Sequence, residues 1–179
     1  MELINQLDAV FKPKSVAVIG ASPVAGKIGY DVLYNLINGG FTGKIYPVNT
    51  KADAILGLQV YKQISDISPA PDLAVIIIPS RLVPQTIEQC GIAGVKSAVV
   101  ITGGFAEASE EGAKLQEELA SIARRYGIRV VGPNCQGVNN PHHHMCASWP
   151  LLTREGGMAF ISQSGTVGAA LMDWASEDH

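Results

Sequence analysis

Two kinds of apolar pattern alternate along the chain: short uninterrupted runs, and longer segments with helical spacing. The runs at 72–78 and 97–101 are almost wholly aliphatic, whereas a strand with one exposed face would alternate apolar and polar residues. We therefore expect strands covered by helices on both faces. The pattern predicts a leading helix at 3–11, strands at 15–20, 44–48, 72–78, 97–101 and 128–131, and helices at 28–37, 80–90 and 110–126. This alternation indicates βαβ crossovers and a doubly wound parallel sheet of the α/β class.

The composition of the chain changes after residue 131, and the regular apolar pattern stops there. Residues 132–150 are rich in proline, glycine and asparagine, and regular patterning restarts with a predicted strand at 157–162 and a helix from 165 to about 174. We therefore divide the chain into a first domain at 1–135, a connecting loop at 136–156, and the start of a second, truncated domain at 157–179.

Composition excludes several classes of function. Apolar residues make up 47% of the chain and charged residues 16%, which predicts a globular chain with a large core. Thirteen basic residues lie scattered among sixteen acidic ones, so no nucleic-acid interface is expected. No apolar run approaches the roughly 20 residues that a membrane-spanning helix needs, and no signal peptide is evident. Three cysteines (Cys90, Cys135 and Cys146) form an odd set with no paired metal spacing, which fits a reducing compartment, and we predict a cytoplasmic protein.

The loop after the first strand carries the first candidate binding site. We call residues 20–29 the Gly20 loop. In a doubly wound fold this position binds phosphates, because small residues let the backbone approach and the next helix supplies amide donors. The candidate cofactor-binding residues here are Gly20, Ala21, Ser22, Pro23, Val24, Gly26 and Lys27.

A standard NAD site is disfavoured in this loop because G-x-G-x-x-G is absent: Ser22 stands two residues after Gly20. An NAD site would also place Asp or Glu at the end of the second strand. Asn49 and Lys51 occur there instead. A lysine suits a phosphate on the adenosine ribose, which both NADP and coenzyme A carry, although it could also be a solvated loop charge.

Further loops belong to the same sheet edge. Ile101, Thr102 and Gly103 follow the fourth predicted strand, and Asn134 and Cys135 follow the fifth. Because ligands of open α/β sheets collect outside the carboxyl ends of the strands, these loops predict one crevice. Cys135 has no evident base beside it, so a lining or packing role is favoured over a nucleophilic one. Consecutive histidines at 142–144 indicate a polar surface loop, and no metal site is predicted.

A second anion site is suggested by small hydroxyl residues at the start of the last predicted helix. The candidate residues for a phosphate or acyl phosphate are Ser162, Gln163, Ser164, Gly165 and Thr166. The same residues would serve as an ordinary helix N-cap, and the pattern does not distinguish the two.

Taken together, these segments resemble the N-terminal part of the NDP-forming acyl-CoA ligases, the acetate:CoA ligase (ADP-forming) group related to the succinyl-CoA synthetase α-subunit. The resemblance runs nearly end to end. It rests on FKPKSVAVIGAS at 11–22, GGFTGKIYPVN at 39–49, PDLAVIIIP at 71–79, GPNCQGVNN at 132–140 and FISQSGTVG at 160–168.

The resemblance implies that coenzyme A binds a Rossmann-like first domain, through the Gly20 loop, the Lys51 region and the strand end at Ile101 to Gly103, with Pro79 added to the candidate set. It implies that the SQSGT segment opens a flavodoxin-like domain, where it faces a phosphohistidine that this chain does not contain. ATP or ADP and Mg²⁺ would bind only through missing regions or an ATP-grasp partner. We therefore expect no catalytic residue here, and binding of coenzyme A without ligation; oligomerisation stays open.

Two other functions remain open. Similar regions occur fused to protein acetyltransferases, which would make this a regulatory coenzyme A-binding module. Lys51 also permits an NADP-dependent oxidoreductase domain, although the missing G-x-G-x-x-G disfavours it.

Overall fold

A computed structural model describes residues 2–149 and 154–176. The helices are α1 (Glu2–Phe11), α2 (Ile28–Asn38), α3 (Val83–Ala93), α4 (Glu110–Tyr126) and α5 (Gly165–Ser176). The strands are β1 (Ser15–Ile19), β2 (Lys44–Val48), β3 (Ala54–Ile55), β4 (Leu58–Gln59), β5 (Leu73–Ile76), β6 (Ser97–Val100), β7 (Arg129–Val131), β8 (Gly137–Asn140) and β9 (Met145–Ser148). Short 3₁₀ turns occur at Ile64–Asp66, Ser80–Leu82 and Pro141–His143. None of the helices described is long and apolar enough to cross a membrane.

Five parallel strands form the central sheet in the order β2-β1-β5-β6-β7. The chain moves outward from β1 to β2 and then returns to the other side of β1, where β5 pairs with it in the register Val16 to Leu73 and Ile19 to Ile76. The sheet order therefore reverses between β1 and β5, and in such folds the reversal opens a crevice at the carboxyl ends of these two strands. The predicted Rossmann-like α/β class is confirmed.

Both faces of the sheet are buried, as the continuous apolar runs required. On one face, side chains of the strands pack against α3 and α4, with Ile87 and Phe105 fully buried. On the other face they pack against α1, α2 and the β8–β9 hairpin, with Leu33 and Met145 fully buried.

Helix α4 has the ends that its sequence predicts. The Ser109 hydroxyl accepts a hydrogen bond from the Gly112 amide at 3.0 Å, and Gly127 closes the helix in the left-handed region at φ 67°. Glu110 and Glu111 lie in the first turn, so the charges complement the helix dipole.

The stretch expected to be a connecting loop at 136–156 contains a β-hairpin. Strands β8 and β9 pair antiparallel, and Ala147 is fully buried against the sheet. Asn35 of α2 donates its side-chain amide to the Ser148 carbonyl at 2.9 Å. The histidines at 142–144, predicted to lie in a polar surface loop, are exposed at the connection between the two strands, where Pro141–His143 forms a 3₁₀ turn.

The predicted strand at 157–162 is wrong. These residues form no regular element, and Met158 and Ile161 are 91% and 95% exposed. An isolated strand has no ladder to satisfy its backbone groups, and none of the described strands pairs with this segment. The helix that follows it, α5, forms as predicted. Residues 150–153 and 177–179 of the predicted loop and second domain lie outside the described residues.

Candidate functional site

The Gly20 loop is pressed against the end of β5. Gly20 has φ +94°, and its amide donates to the Val48 carbonyl of β2 at 3.1 Å. A Cβ at this position would lie 2.1 Å from the Ile77 carbonyl oxygen. Only glycine fits at this position. Because Gly20 contacts the backbone just after β5, the loop lies at the point where the sheet order reverses.

Helix α2 enters against the same loop. A Cβ on Gly29 would lie 2.1 Å from the Gly20 carbonyl oxygen, so the first turn of the helix and the loop touch backbone to backbone. The amides of Ile28 and Gly29 begin the helix and have no acceptor within it. Lys27 stands at the N-cap with an exposed side chain and makes no side-chain cap. The loop thus offers amide donors, a helix dipole and a cation to an anionic ligand.

The hydroxyl of Ser22 shapes the loop from within. It accepts a hydrogen bond from the Val24 amide at 3.1 Å, and Ser22 is buried. Val24 is 51% exposed, and Pro23 and Gly26 are also exposed. Ser22 therefore sets the backbone path, while the exposed residues face solvent at the mouth of the crevice.

Asn49 joins the end of β2 to this loop. Its side-chain amide donates to the Ala21 carbonyl at 2.7 Å, and its Oδ1 accepts from the amides of Lys51 and Ala52 at 2.8 and 2.9 Å. These bonds hold the backbone of Lys51 beside the Gly20 loop, with the lysine side chain exposed.

The carboxylate that follows β2 is occupied elsewhere. Asp53 pairs with Lys62 at 2.8 Å, and the hydrogen bond and charge of Lys62 lower the pKa of this exposed carboxyl. No carboxylate therefore stands at the end of β2, either to bind a ribose or to repel a phosphate. Asn49, Thr50 and Lys51 follow the strand there.

Thr102 ties together the ends of β5 and β6. Its hydroxyl donates to the Ile78 carbonyl at 2.8 Å and accepts from the Ile78 amide at 3.2 Å. Its own carbonyl accepts from the Asn134 amide at 2.9 Å. Ile101 is buried, whereas Pro79 and Gly103 are exposed. Thr102 and Asn134 therefore meet as predicted, but the hydroxyl of Thr102 is already engaged within the protein.

Sequence reasoning missed Glu107. Its Oε1 accepts hydrogen bonds from the amides of Gly104 at 2.6 Å and Phe105 at 3.1 Å. Slight burial raises the pKa of Glu107, but the bonds from the Phe105, Gly104 and Glu107 amides lower it below its usual value overall. The only sequence signal for this contact is an acidic residue that comes three positions after the glycine pair Gly103-Gly104, where the chain leaves β6.

The thiol of Cys135 is partly buried and hydrogen-bonded, which favours a lining or packing role. Its Sγ donates to the Val100 carbonyl at 3.3 Å, and burial raises its pKa although hydrogen bonds from the Gly137 and Cys135 amides oppose that rise. No base contacts it among the described residues. Asn134 adopts φ 54°, and its exposed side chain lies beside Gly103.

The residues predicted as a second anion site form a helix cap. Ser164 accepts from the Val167 amide at 3.4 Å, and Ser162 accepts from the Ser164 amide at 3.0 Å. Gln163 and Thr166 are exposed, and Gly165 packs against the Gln136 side chain. The helix-cap alternative is thus formed, and the anion role stays a prediction. His142 contacts Glu155 and the Gly156 carbonyl, and the described residues hold no cluster able to bind a metal.

A doubly wound sheet with an open, lysine-flanked glycine loop at its reversal point defines a nucleotide- or coenzyme-binding domain. The chain belongs to the CoA binding domain family, whose model matches residues 14–141. The predicted ligand, coenzyme A, and the predicted resemblance to ADP-forming acyl-CoA ligases are confirmed.

Individual relatives are enzymes of greater length. The chain is 47% identical over 173 residues to acetate–CoA ligase (ADP-forming) I subunit alpha of Pyrococcus furiosus, covering 94% of this chain and 37% of that protein. It is 45% identical to acetate–CoA ligase (ADP-forming) of Methanocaldococcus jannaschii, with 95% and 24% covered. A dinucleotide-forming acetyl-coenzyme A synthetase of Ca. Korarchaeum cryptofilum, solved with phosphate and ADP, matches with a TM-score of 0.90 at 45% identity, over 95% of this chain and 36% of that one. The chain thus spans little more than a third of these proteins at most.

Proposed function

We propose that this chain is the coenzyme A-binding part of an ADP-forming acyl-CoA ligase, which joins a carboxylic acid to coenzyme A at the expense of ATP. The observation that carries the proposal is the Gly20 loop, packed onto the reversal point of the sheet with free helix amides and two exposed lysines beside it. The proposed binding residues are Gly20, Ala21, Ser22, Pro23, Val24, Gly26, Lys27, Asn49, Lys51, Pro79, Ile101, Thr102, Gly103, Asn134 and Cys135.

The residues present fit the chemistry of coenzyme A. Its pyrophosphate and ribose phosphate are anions, and the Gly20 loop contains no carboxylate but does contain Lys27. Lys51, held at the end of β2 by Asn49, is the residue we assign to the ribose phosphate. When bound, coenzyme A supplies the thiol that accepts the acyl group, while the role of these residues is to hold and orient its phosphates. Pro79, Thr102 and Asn134 would guide the rest of the molecule along the sheet edge.

The rest of the ligase reaction would require further parts. We propose that the segment from residue 157 begins a second domain, in which Ser162 to Thr166 bind phosphate or an acyl phosphate. The exposed apolar side chains of Met158, Ile161 and Trp174 support this, because apolar surface of that kind is normally covered. Under this proposal an ATP-grasp domain or subunit supplies the nucleotide site with Mg²⁺. Cytoplasmic location stays part of the proposal.

Calorimetric titration with coenzyme A, dephospho-CoA and NADPH tests the ligand directly. We expect saturable binding of coenzyme A, weaker binding of dephospho-CoA because the ribose phosphate is lost, and no comparable binding of NADPH. Absence of coenzyme A binding, or tighter binding of NADPH, would overturn the proposal. A ligase assay on a longer chain that includes the nucleotide-binding part would separate the enzyme from a regulatory module.

A further inference from the structure

The turn after β6, residues 103–107, contains backbone amides already bound to an anion that the protein itself supplies. We call it the Gly103 turn. The amides of Gly104 and Phe105 converge on one carboxylate oxygen, Glu107 Oε1, at 2.6 and 3.1 Å. Adjacent amides that converge in this way form a concave donor site of the kind that binds phosphate in other proteins. Here the carboxylate of Glu107 fills it.

This filled donor site lies at the crevice. A Cβ on the exposed Gly103 would lie 3.3 Å from Glu107 Oε1 and 3.0 Å from Asn134 Oδ1, so two acceptor oxygens flank the same glycine. Residues 101–109 contain no lysine or arginine. The Gly103 turn itself thus presents hydrogen-bond acceptors and a negative charge.

The other end of the crevice has the opposite character. The Gly20 loop contains no Asp or Glu, and the first amides of α2 have no acceptor within the helix. Lys27 lies in the loop, and Lys51 lies beside it. Coenzyme A is similarly polarised: its adenosine end carries all the phosphates, and its pantetheine arm is neutral with two amide N–H donors.

We propose that Glu107 is a specificity-determining residue that sets the direction of coenzyme A in the crevice, an inference that rests on the proposed function. Its carboxylate occupies the donor site of the Gly103 turn, so phosphates are excluded there and enter only at the Gly20 loop. The neutral pantetheine arm then crosses Gly103, where the acceptors of Glu107 and Asn134 suit its amide N–H groups.

The fold of the turn does not depend on the carboxylate alone. Phe105 is fully buried between the sheet and the helices α3 and α4, and Gly112 of α4 packs against its carbonyl. A change at Glu107 should therefore leave the turn in place while its amides become free, which makes the residue open to a clean test.

The test uses amide-resolved NMR titrations with two probes, inorganic phosphate and 3′,5′-ADP, on the full chain. In the wild type we expect both probes to shift amides of the Gly20 loop and to leave those of Gly104 and Phe105 unmoved. In Glu107→Ala both probes should also shift Gly104 and Phe105 saturably. Glu107→Gln keeps an acceptor in the donor site and should not gain this second site. Glu111→Ala, which removes an exposed carboxylate from the first turn of α4, is the matched control and should behave as the wild type.

The inference is overturned if phosphate shifts the Gly104 and Phe105 amides of the wild type, or if Glu107→Ala gains no second site. A folded Glu107→Ala protein is verified from its unchanged amide spectrum away from the turn. Failure of the proposed function has a different signature: the amides of the Gly20 loop would then not respond to 3′,5′-ADP in any variant.

Discussion

The two glycine-containing segments at the carboxyl edge of the sheet both follow a strand, and they differ in what their amides bind. The Gly20 loop leaves helix amides open and carries a lysine at the N-cap of α2. The Gly103 turn directs two amides onto its own Glu107. Gly20 and Gly29 lie where the backbone must come close, and the partner of the amides decides whether a turn can receive an anion.

The largest expected effect comes from Gly29→Ala, which breaks the contact that shapes the Gly20 loop. Alanine normally favours a helix over glycine, but here its Cβ would lie 2.1 Å from the Gly20 carbonyl oxygen. Since the backbone must move to accommodate it, we expect a loss of about 3 kcal/mol in the free energy of unfolding. Urea denaturation measures this loss.

Gly26→Ala is the control within the same loop. Its Cβ would meet nothing within 4 Å, and only its φ of +80° opposes the change, so about 1 kcal/mol should be lost. Equal stability of the two variants would show that the loop is not closed against α2.

Lys27→Ala tests whether the positive charge in the Gly20 loop contributes to the binding of coenzyme A. Removing the cation at the N-cap of α2 should weaken coenzyme A about tenfold, the usual size of one charge-assisted contact, and should leave stability nearly unchanged because the side chain is exposed. Calorimetry on Lys114→Ala, an exposed lysine of α4, provides the comparison. If both variants bind coenzyme A alike, Lys27 makes no contact with it.

Thr102→Val tests how much the Thr102 hydroxyl, which bonds the ends of β5 and β6 together, contributes to stability. The change removes the acceptor of the Ile78 amide, and a loss of about 1 kcal/mol in unfolding free energy is expected. Thr86→Val should cost less, because the Thr86 hydroxyl only donates to the Leu82 carbonyl within the helical segment. A larger loss at Thr86 would contradict this assignment.

The smallest change is expected in the alkylation of the cysteine thiols, which should hardly proceed in the folded protein. Burial raises the pKa of Cys90 to about 12 and also raises that of Cys135, so near neutral pH each has less thiolate than an ordinary cysteine. Iodoacetamide should label both slowly, because burial restricts access to Cys90 and Cys135 and the raised pKa values keep the thiolate fraction low. Urea-unfolded protein should label quickly. Labelling of Cys135 faster than that of free glutathione would restore it as a candidate nucleophile.

The sequence predicts the sheet well because its signal is local. Continuous apolar runs such as 72–78 and 97–101 report burial on both faces, and Ser109 and Gly127 mark both ends of α4. The apolar run at 157–162 resembles the same signal, but a strand also requires a neighbour with which to pair. Hydrophobicity at Ile161 reports a surface that is suited to burial, and it cannot supply that neighbour.

The sequence predicts which loops form the site, but it does not predict which partners their side chains contact. Gly20, Lys51 and Asn134 follow strands whose carboxyl ends share an edge, so topology alone brings them to one crevice. What each side chain does there depends on distant partners: Asn49 bonds Ala21 across 28 residues, and Thr102 is engaged with Ile78. Glu107 has only a short sequence signal, and its role becomes evident from the two amides that it accepts.

The most direct test of the central claim is a calorimetric cycle of coenzyme A and dephospho-CoA against the wild type and Lys51→Ala. We expect Lys51→Ala to weaken the binding of coenzyme A about tenfold, as for loss of one charge-assisted contact, and to leave the binding of dephospho-CoA almost unaffected, because dephospho-CoA has no ribose phosphate for the lysine to contact. Equal weakening of both ligands would contradict the assignment of Lys51 to that phosphate, and with it the orientation of coenzyme A from the Gly20 loop along the sheet edge.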